Sequence, residues 1–165
     1  MLWSSYANKH SLLATLTTML STDFKEFIEL LNSTQVEYML VGGYALATYG
    51  HPRYTGDMDV WVKPEAKNIE RLLLVLSAFG FASVGLKESD FMQPEAVVQL
   101  GYPPARIDLL TAIDGVAFDV CFERKMTVEI DGVMIPVIHI QDFRANKMAA
   151  GRHKDLADLE AIKNQ

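Results

Sequence analysis

The chain has 165 residues, 50% of them hydrophobic, with one cysteine and a net charge of −6 from 21 acidic and 15 basic side chains. That length fits one domain with a sizeable core, and the composition carries no signature of disorder. The acidic balance argues against broad electrostatic binding of nucleic acid, the lone Cys121 allows no internal disulfide, and no apolar run is long enough to cross a bilayer.

Residues 1–21 read as an extension. Leu12, Leu13, Leu16, Met19 and Leu20 fall at helical spacing, which predicts a short helix over 11–20. Ser11 to Leu20 superficially resembles a secretory core, but four Ser/Thr interrupt it and no small-residue cleavage pattern follows. The expectation is a cytoplasmic protein with one domain over 22–165.

That domain opens with a helix from Asp23, with Asp23 and Glu26 as a capping box and Phe24, Phe27, Ile28 and Leu31 on its apolar face. Glu37 to Val41 reads as a buried strand, broken by Gly42-Gly43. Tyr44 to Tyr49 reads as a short helix. Asp57 to Val62 is the clearest strand. Alternation puts Asp57, Asp59 and Trp61 on one face and the apolar Met58, Val60 and Val62 on the other. Pro64 opens a helix to Phe79, and 81–94 read as irregular. Ala96–Leu100 and Arg106–Thr111 read as strands, and Gly115–Arg124 as a helix. Thr127–Ile130 and Val133–Ile138 form a hairpin on Asp131-Gly132. Asp142 is the expected cap of a helix to Ala150, Gly151 breaks it, and Lys154–Ile162 is the last helix. This order predicts an α/β (α+β) fold, a mixed sheet flanked by helices.

Two carboxylates on one strand face repel, and a divalent cation removes that penalty. Asp57-x-Asp59 therefore suits Mg2+, which takes oxygen ligands and keeps positions for water and phosphates. Two solvated acids are the plain alternative. Gly42-Gly43 adds weight, because glycines after a strand let the backbone approach a ligand closely. Asp108 interrupts the apolar strand Arg106-Ile107-Asp108-Leu109-Leu110 and offers a third carboxylate, as general base or metal ligand. Its alternative is a salt bridge with Arg106 on the same face. Trp61 shares the acidic face, with core packing as the expected role. The histidines lack zinc-ligand spacing, and no P-loop or Gly-x-Ser-x-Gly motif occurs.

Together these residues resemble the nucleotidyltransferase superfamily, the fold shared with DNA polymerase beta. Its pattern is a glycine pair after a strand, a short helix, Asp-x-Asp and a later strand aspartate. Arg53-x-Thr55-x-Asp57-x-Asp59-Val60-Trp61 and Asn146-Lys147 through Arg152-x-Lys154-Asp155-x-x-Asp158 are similar to a small bacterial branch that includes abortive-infection-type toxin transferases. The resemblance covers about residues 22 to 163. It implies Mg2+, with Mn2+ as a substitute, at Asp57, Asp59 and Asp108, and an NTP held by Gly42 and Gly43. It implies transfer of a nucleoside monophosphate to an acceptor hydroxyl on RNA, protein or a small molecule such as an antibiotic. A non-catalytic member, for instance one paired with an antitoxin, is the alternative.

Three further residues follow from the same resemblance. Lys147 would reach the phosphates or be a solvated helix lysine. Arg53 and Thr55 would touch phosphate or order the loop. Tyr44 stands where a serine is common in the wider superfamily. Arg144, Lys147, Arg152, His153 and Lys154 form a late basic cluster, either for phosphates or RNA or as a charged helix surface.

Overall fold

The computed structural model describes residues 20–165. The helix expected over 11–20 lies, but for its last residue, outside them. Helix α1 (Thr22–Ser33) is capped by Ser21, whose Oγ accepts from the Phe24 amide at 3.2 Å, rather than by Asp23. Asp23 instead lies in the first turn, where its charge suits the helix dipole. Phe24, Phe27, Ile28 and Leu31 are buried as the periodicity predicts.

Strand β1 (Tyr38–Val41) is buried along its whole length, as a central strand should be. It runs directly into α2 (Gly42–Thr48), and β2 (Asp57–Val62) follows. Helix α3 (Ala66–Leu76) continues into a π-helical turn, Ser77–Phe81, bent at Gly80. The buried Asn68 at its start accepts from the Glu37 amide at 2.7 Å and donates to the Glu37 and Lys63 carbonyls at 3.0 Å. It thereby ties α3 to the ends of β1 and β2. Residues 81–94 contain a 3-10 turn (Ala82–Val84) and the short α4 (Glu88–Phe91).

Strands β3 (Val97–Leu100) and β4 (Arg106–Leu110), helix α5 (Phe118–Glu123), strands β5 (Met126–Ile130) and β6 (Val133–Val137), and helices α6 (Ile140–Ala150) and α7 (His153–Ala161) complete the chain. The six strands form one mixed sheet, in the order β3-β4-β2-β1-β6-β5, flanked by helices. The β5–β6 hairpin turns on Asp131 (φ 51°) and Gly132 (φ 76°), the left-handed pair that such two-residue loops require.

Asp142 does not cap α6. His139 does, its Nδ1 accepting from the Gln141 amide at 3.2 Å. Asp142 is buried and paired with Arg124, whose Nε donates to it at 2.8 Å. Cys121 is buried nearby, and burial, then the Asp142 charge, pushes its thiol up to about 11. That suits a packing role rather than a nucleophile. Among the described residues no helix is long and apolar enough to cross a membrane.

Candidate active site

The site forms at one end of the sheet, where the start of β2, the start of β4 and the end of β1 meet. Strands β2 and β4 are parallel neighbours, with Asp57 opposite Arg106 and Asp59 opposite Asp108. Alternation keeps Asp57 and Asp59 on one face, and the register adds Asp108 beside them. One carboxylate oxygen from each of the three lies within 4.8 Å of the others. Trp61, two residues further along that face, is buried and meets Phe118 of α5 edge-to-face, with ring centroids 5.1 Å apart. It is core, as expected.

The acids line an open cleft of about 490 Å³ together with Val41, Gly42, Arg106, Lys147, Arg152 and Lys154. Gly42 has φ 66°, and a side chain there would overlap the Asp59 carboxylate. The glycine thus serves two needs, a left-handed backbone and room for the acid on the neighbouring strand. Gly43 is buried against the loop, where an added Cβ would lie 3.1 Å from Thr55 and 3.2 Å from Arg53.

Each carboxylate is held differently. Thr55 Oγ1 donates to Asp57 Oδ1 at 2.9 Å, and Arg106 Nη2 donates to Asp57 Oδ2. Arg106 Nε donates to Asp108 Oδ1 at 2.7 Å and its Nη2 to Asp108 Oδ2 at 3.1 Å. Gln99 Nε2 also reaches Asp108 Oδ2 at 3.3 Å. Asp59 receives no hydrogen bond from the described residues. Burial, followed by the charges of Asp57 and Asp108, pushes its carboxyl up to about 6, against the opposing pull of Lys154 and Lys147. The salt bridge weighed for Asp108 and Arg106 is present, and it coexists with the convergence of the three acids.

Of the other expected residues, Arg53 stands behind the cleft and Lys147 lines it from a buried position. Arg53 Nε and Nη2 donate to Asp158 of α7 at 2.8 and 3.0 Å. Lys147 is buried, not solvated, and its Nζ pairs with Asp155 at 2.9 Å and Asp158 at 3.4 Å. Arg152 Nε donates to Asp155 at 2.7 Å. Burial opposes ionisation of Asp155, but the bonds from Arg152 and Lys147 outweigh it and hold its carboxyl down to about 2. The basic cluster divides. Lys147, Arg152 and Lys154 line the cleft, whereas Arg144 turns to the Ile162 carbonyl at 2.7 Å near the C-terminus.

Sequence reasoning assigned no site role to Arg106, Asp155 or Asp158. The signal for the last two was present: aspartates three apart on a helix share a face, and Asp155 and Asp158 are buried there beside Lys147 and Arg53. The signal for Arg106 was its place two residues before Asp108, on the same strand face.

The donor set is all oxygen, and burial together with crowding pushes the carboxyl of one member up to about 6. Both features fit a hard divalent cation such as Mg2+. Residues 20–165 match the family described as nucleotidyl transferase of unknown function (DUF2204). Among solved structures, the fold is similar to that of a candidate nucleotidyltransferase from Thermotoga maritima, at TM-score 0.57 and 16% identity, covering 85% of this chain and 89% of that one. It is also similar to an antigenic nucleotidyltransferase-like protein from Paracoccidioides brasiliensis, at TM-score 0.51 and 18% identity, covering 92% of this chain and 73% of that one. At such identities the likeness speaks for the fold alone. No curated protein sequence matches at a significant level. The match over residues 20–165 places the chain in the nucleotidyl transferase family of unknown function.

Proposed function

We propose that the chain, as a member of this family, moves a nucleoside monophosphate from an NTP to an acceptor hydroxyl and releases pyrophosphate, with Mg2+ or Mn2+ as the metal. The observation that carries this reading is the convergence of Asp57, Asp59 and Asp108 in a cleft that Gly42 also lines, with Gly43 buried behind it. These three carboxylates would hold the metal. When bound, such an ion neutralises them and stabilises charge on the phosphates.

The chain's own residues supply the rest. Gly42 lines the cleft at the start of α2, where a polyphosphate would meet the main chain. Arg152 and Lys154, both exposed on the cleft wall, add positive charge where pyrophosphate leaves. Thr55 fixes the rotamer of Asp57, and Arg53 ties the loop carrying Thr55 to α7. Lys147 faces the cleft from between its two aspartates and contributes positive potential to the phosphates. In the transfer, the acceptor oxygen forms a bond to the α-phosphorus and the bond from that phosphorus to the β-phosphate oxygen breaks. Asp108 is our assignment for the carboxylate that receives the acceptor's proton.

One observation favours a second reading. Arg106 already pairs with two of the three acids, which suits a member that binds nucleotide or a protein partner such as an antitoxin without turnover. A single assay separates the two. Labelled NTPs with Mg2+ are offered tRNA, lysate protein and aminoglycosides. Label should appear in one class. Asp57→Ala with Asp59→Ala should lower transfer roughly a hundredfold or more while circular dichroism stays that of the wild type. Full transfer in the double variant would refute the site. Calorimetric NTP binding without transfer would support the second reading.

A further inference from the structure

Four of the six oxygens in the acidic triad are already engaged by the chain. Thr55 and Arg106 take the two oxygens of Asp57, and Arg106 takes both oxygens of Asp108. Only Asp59 is left without a donor among the described residues. A guanidinium presents its donors in a flat, rigid fork, which matches two carboxylates well and a third poorly. A small divalent ion instead needs oxygens around it at about 2.1 Å. It would draw on the Asp57 and Asp108 carboxylates that Arg106 now pairs with, and two cations held that closely repel. The two cations therefore compete for one set of ligands.

We propose that Arg106 is a resident counter-cation. It holds Asp57 and Asp108 in place, and a metal ion enters the triad only by displacing its guanidinium from them. The Arg106 side chain is a quarter exposed and lines the cleft, so the displaced group stays beside the space an incoming anion would fill. Metal entry and the gain of a free positive charge for a polyphosphate then become one event, and the two ligands bind cooperatively. This last step rests on the nucleotide reading above. The competition itself does not.

The test is Mn2+ binding without nucleotide, followed by electron paramagnetic resonance, in the wild type, Arg106→Lys and Arg106→Met. Methionine keeps much of the side chain's length and removes the charge. R106M should bind Mn2+ about tenfold more tightly than wild type and melt at a lower temperature in EDTA, with R106K between them. In the wild type, ATP and Mn2+ should each tighten the other's binding, and R106M should lose the part of that coupling that direct metal–phosphate contact does not carry. Unchanged or weaker Mn2+ binding in an R106M protein with wild-type circular dichroism would overturn the proposal. So would no Mn2+ binding in either protein. Should R106M fail to fold in EDTA, R106M/D57N is compared with D57N, where one repelling charge is gone. Tighter Mn2+ binding with the added R106M supports the competition, and equal or weaker binding overturns it. A protein that shows the R106M effect but never transfers label keeps this inference and loses the transfer reading.

Discussion

Two clusters of acids and cations lie side by side, and they resolve their charge in opposite ways. At the strand edge, Asp57, Asp59 and Asp108 face one guanidinium, that of Arg106. Behind it, Asp155 and Asp158 meet Lys147, Arg53 and Arg152. The first cluster has an excess of negative charge and opens to the cleft. The second has an excess of positive charge, and both of its acids are buried. Their carboxyls record the difference: Asp59 is pushed up to about 6, and Asp155 is held down to about 2. An acid whose charge is already answered serves the fold. An acid whose charge is unanswered, as Asp59 is among the described residues, is open to a cation.

The largest test of that contrast is Asp155→Ala. It removes the nearer of the two aspartates that answer the buried Lys147, leaving Asp158 at 3.4 Å, and should cost about 3 kcal/mol, read as a fall in the urea midpoint. A small loss would erase the distinction between the clusters.

The next test is pH. In EDTA, Asp59 should reverse the usual behaviour of a carboxylate. Below about pH 4 both folded and unfolded chains hold its proton. Between about 4 and 6 the unfolded chain releases the proton while the folded one keeps it, so stability falls as pH rises through that window, by about 2–3 kcal/mol. Asp59→Asn should remove the fall. Asp155 has the opposite sign: its contribution is present above about pH 4 and is lost as pH drops toward 2. Urea melts at several pH values read both, and an Asp59→Asn profile identical to wild type would break the comparison at its centre. Metal binding requires the ionised acid and should weaken as pH falls below about 6.

The smallest expected effect is that of Thr55→Val. It removes one hydrogen bond to Asp57, worth about 1 kcal/mol of stability, and should lower metal affinity by about tenfold as the carboxylate loses its orientation. Unchanged metal binding would show that Arg106 alone positions Asp57.

Much of this was legible in the chain because it depends on local pattern. Alternation in Asp57–Val62, the Asp131-Gly132 turn and the apolar face of α1 are one-dimensional signals, and the structure contains each of them. The roles of Arg106 and Asp158 depend on pairing between distant segments. Arg106 meets Asp57 only because β2 and β4 run parallel with those residues opposite one another. Asp142 has the chemistry of a helix cap, yet Arg124, packed on the same side, draws it inward and His139 caps instead. Arg144 and Lys147 stand three apart on α6, yet their partners divide them: Arg144 is drawn to the Ile162 carbonyl and Lys147 to Asp155 and Asp158.

The parallel pairing of β2 with β4 also bears on biosynthesis. The chain emerges from its N-terminus, so β2 with its two acids appears well before β4 brings Asp108 and Arg106. Until that non-local pairing closes, there is neither a triad nor its guanidinium partner. A nascent or truncated chain therefore presents Asp57 and Asp59 without Asp108, and the three-carboxylate cluster arises only in a molecule whose sheet is complete.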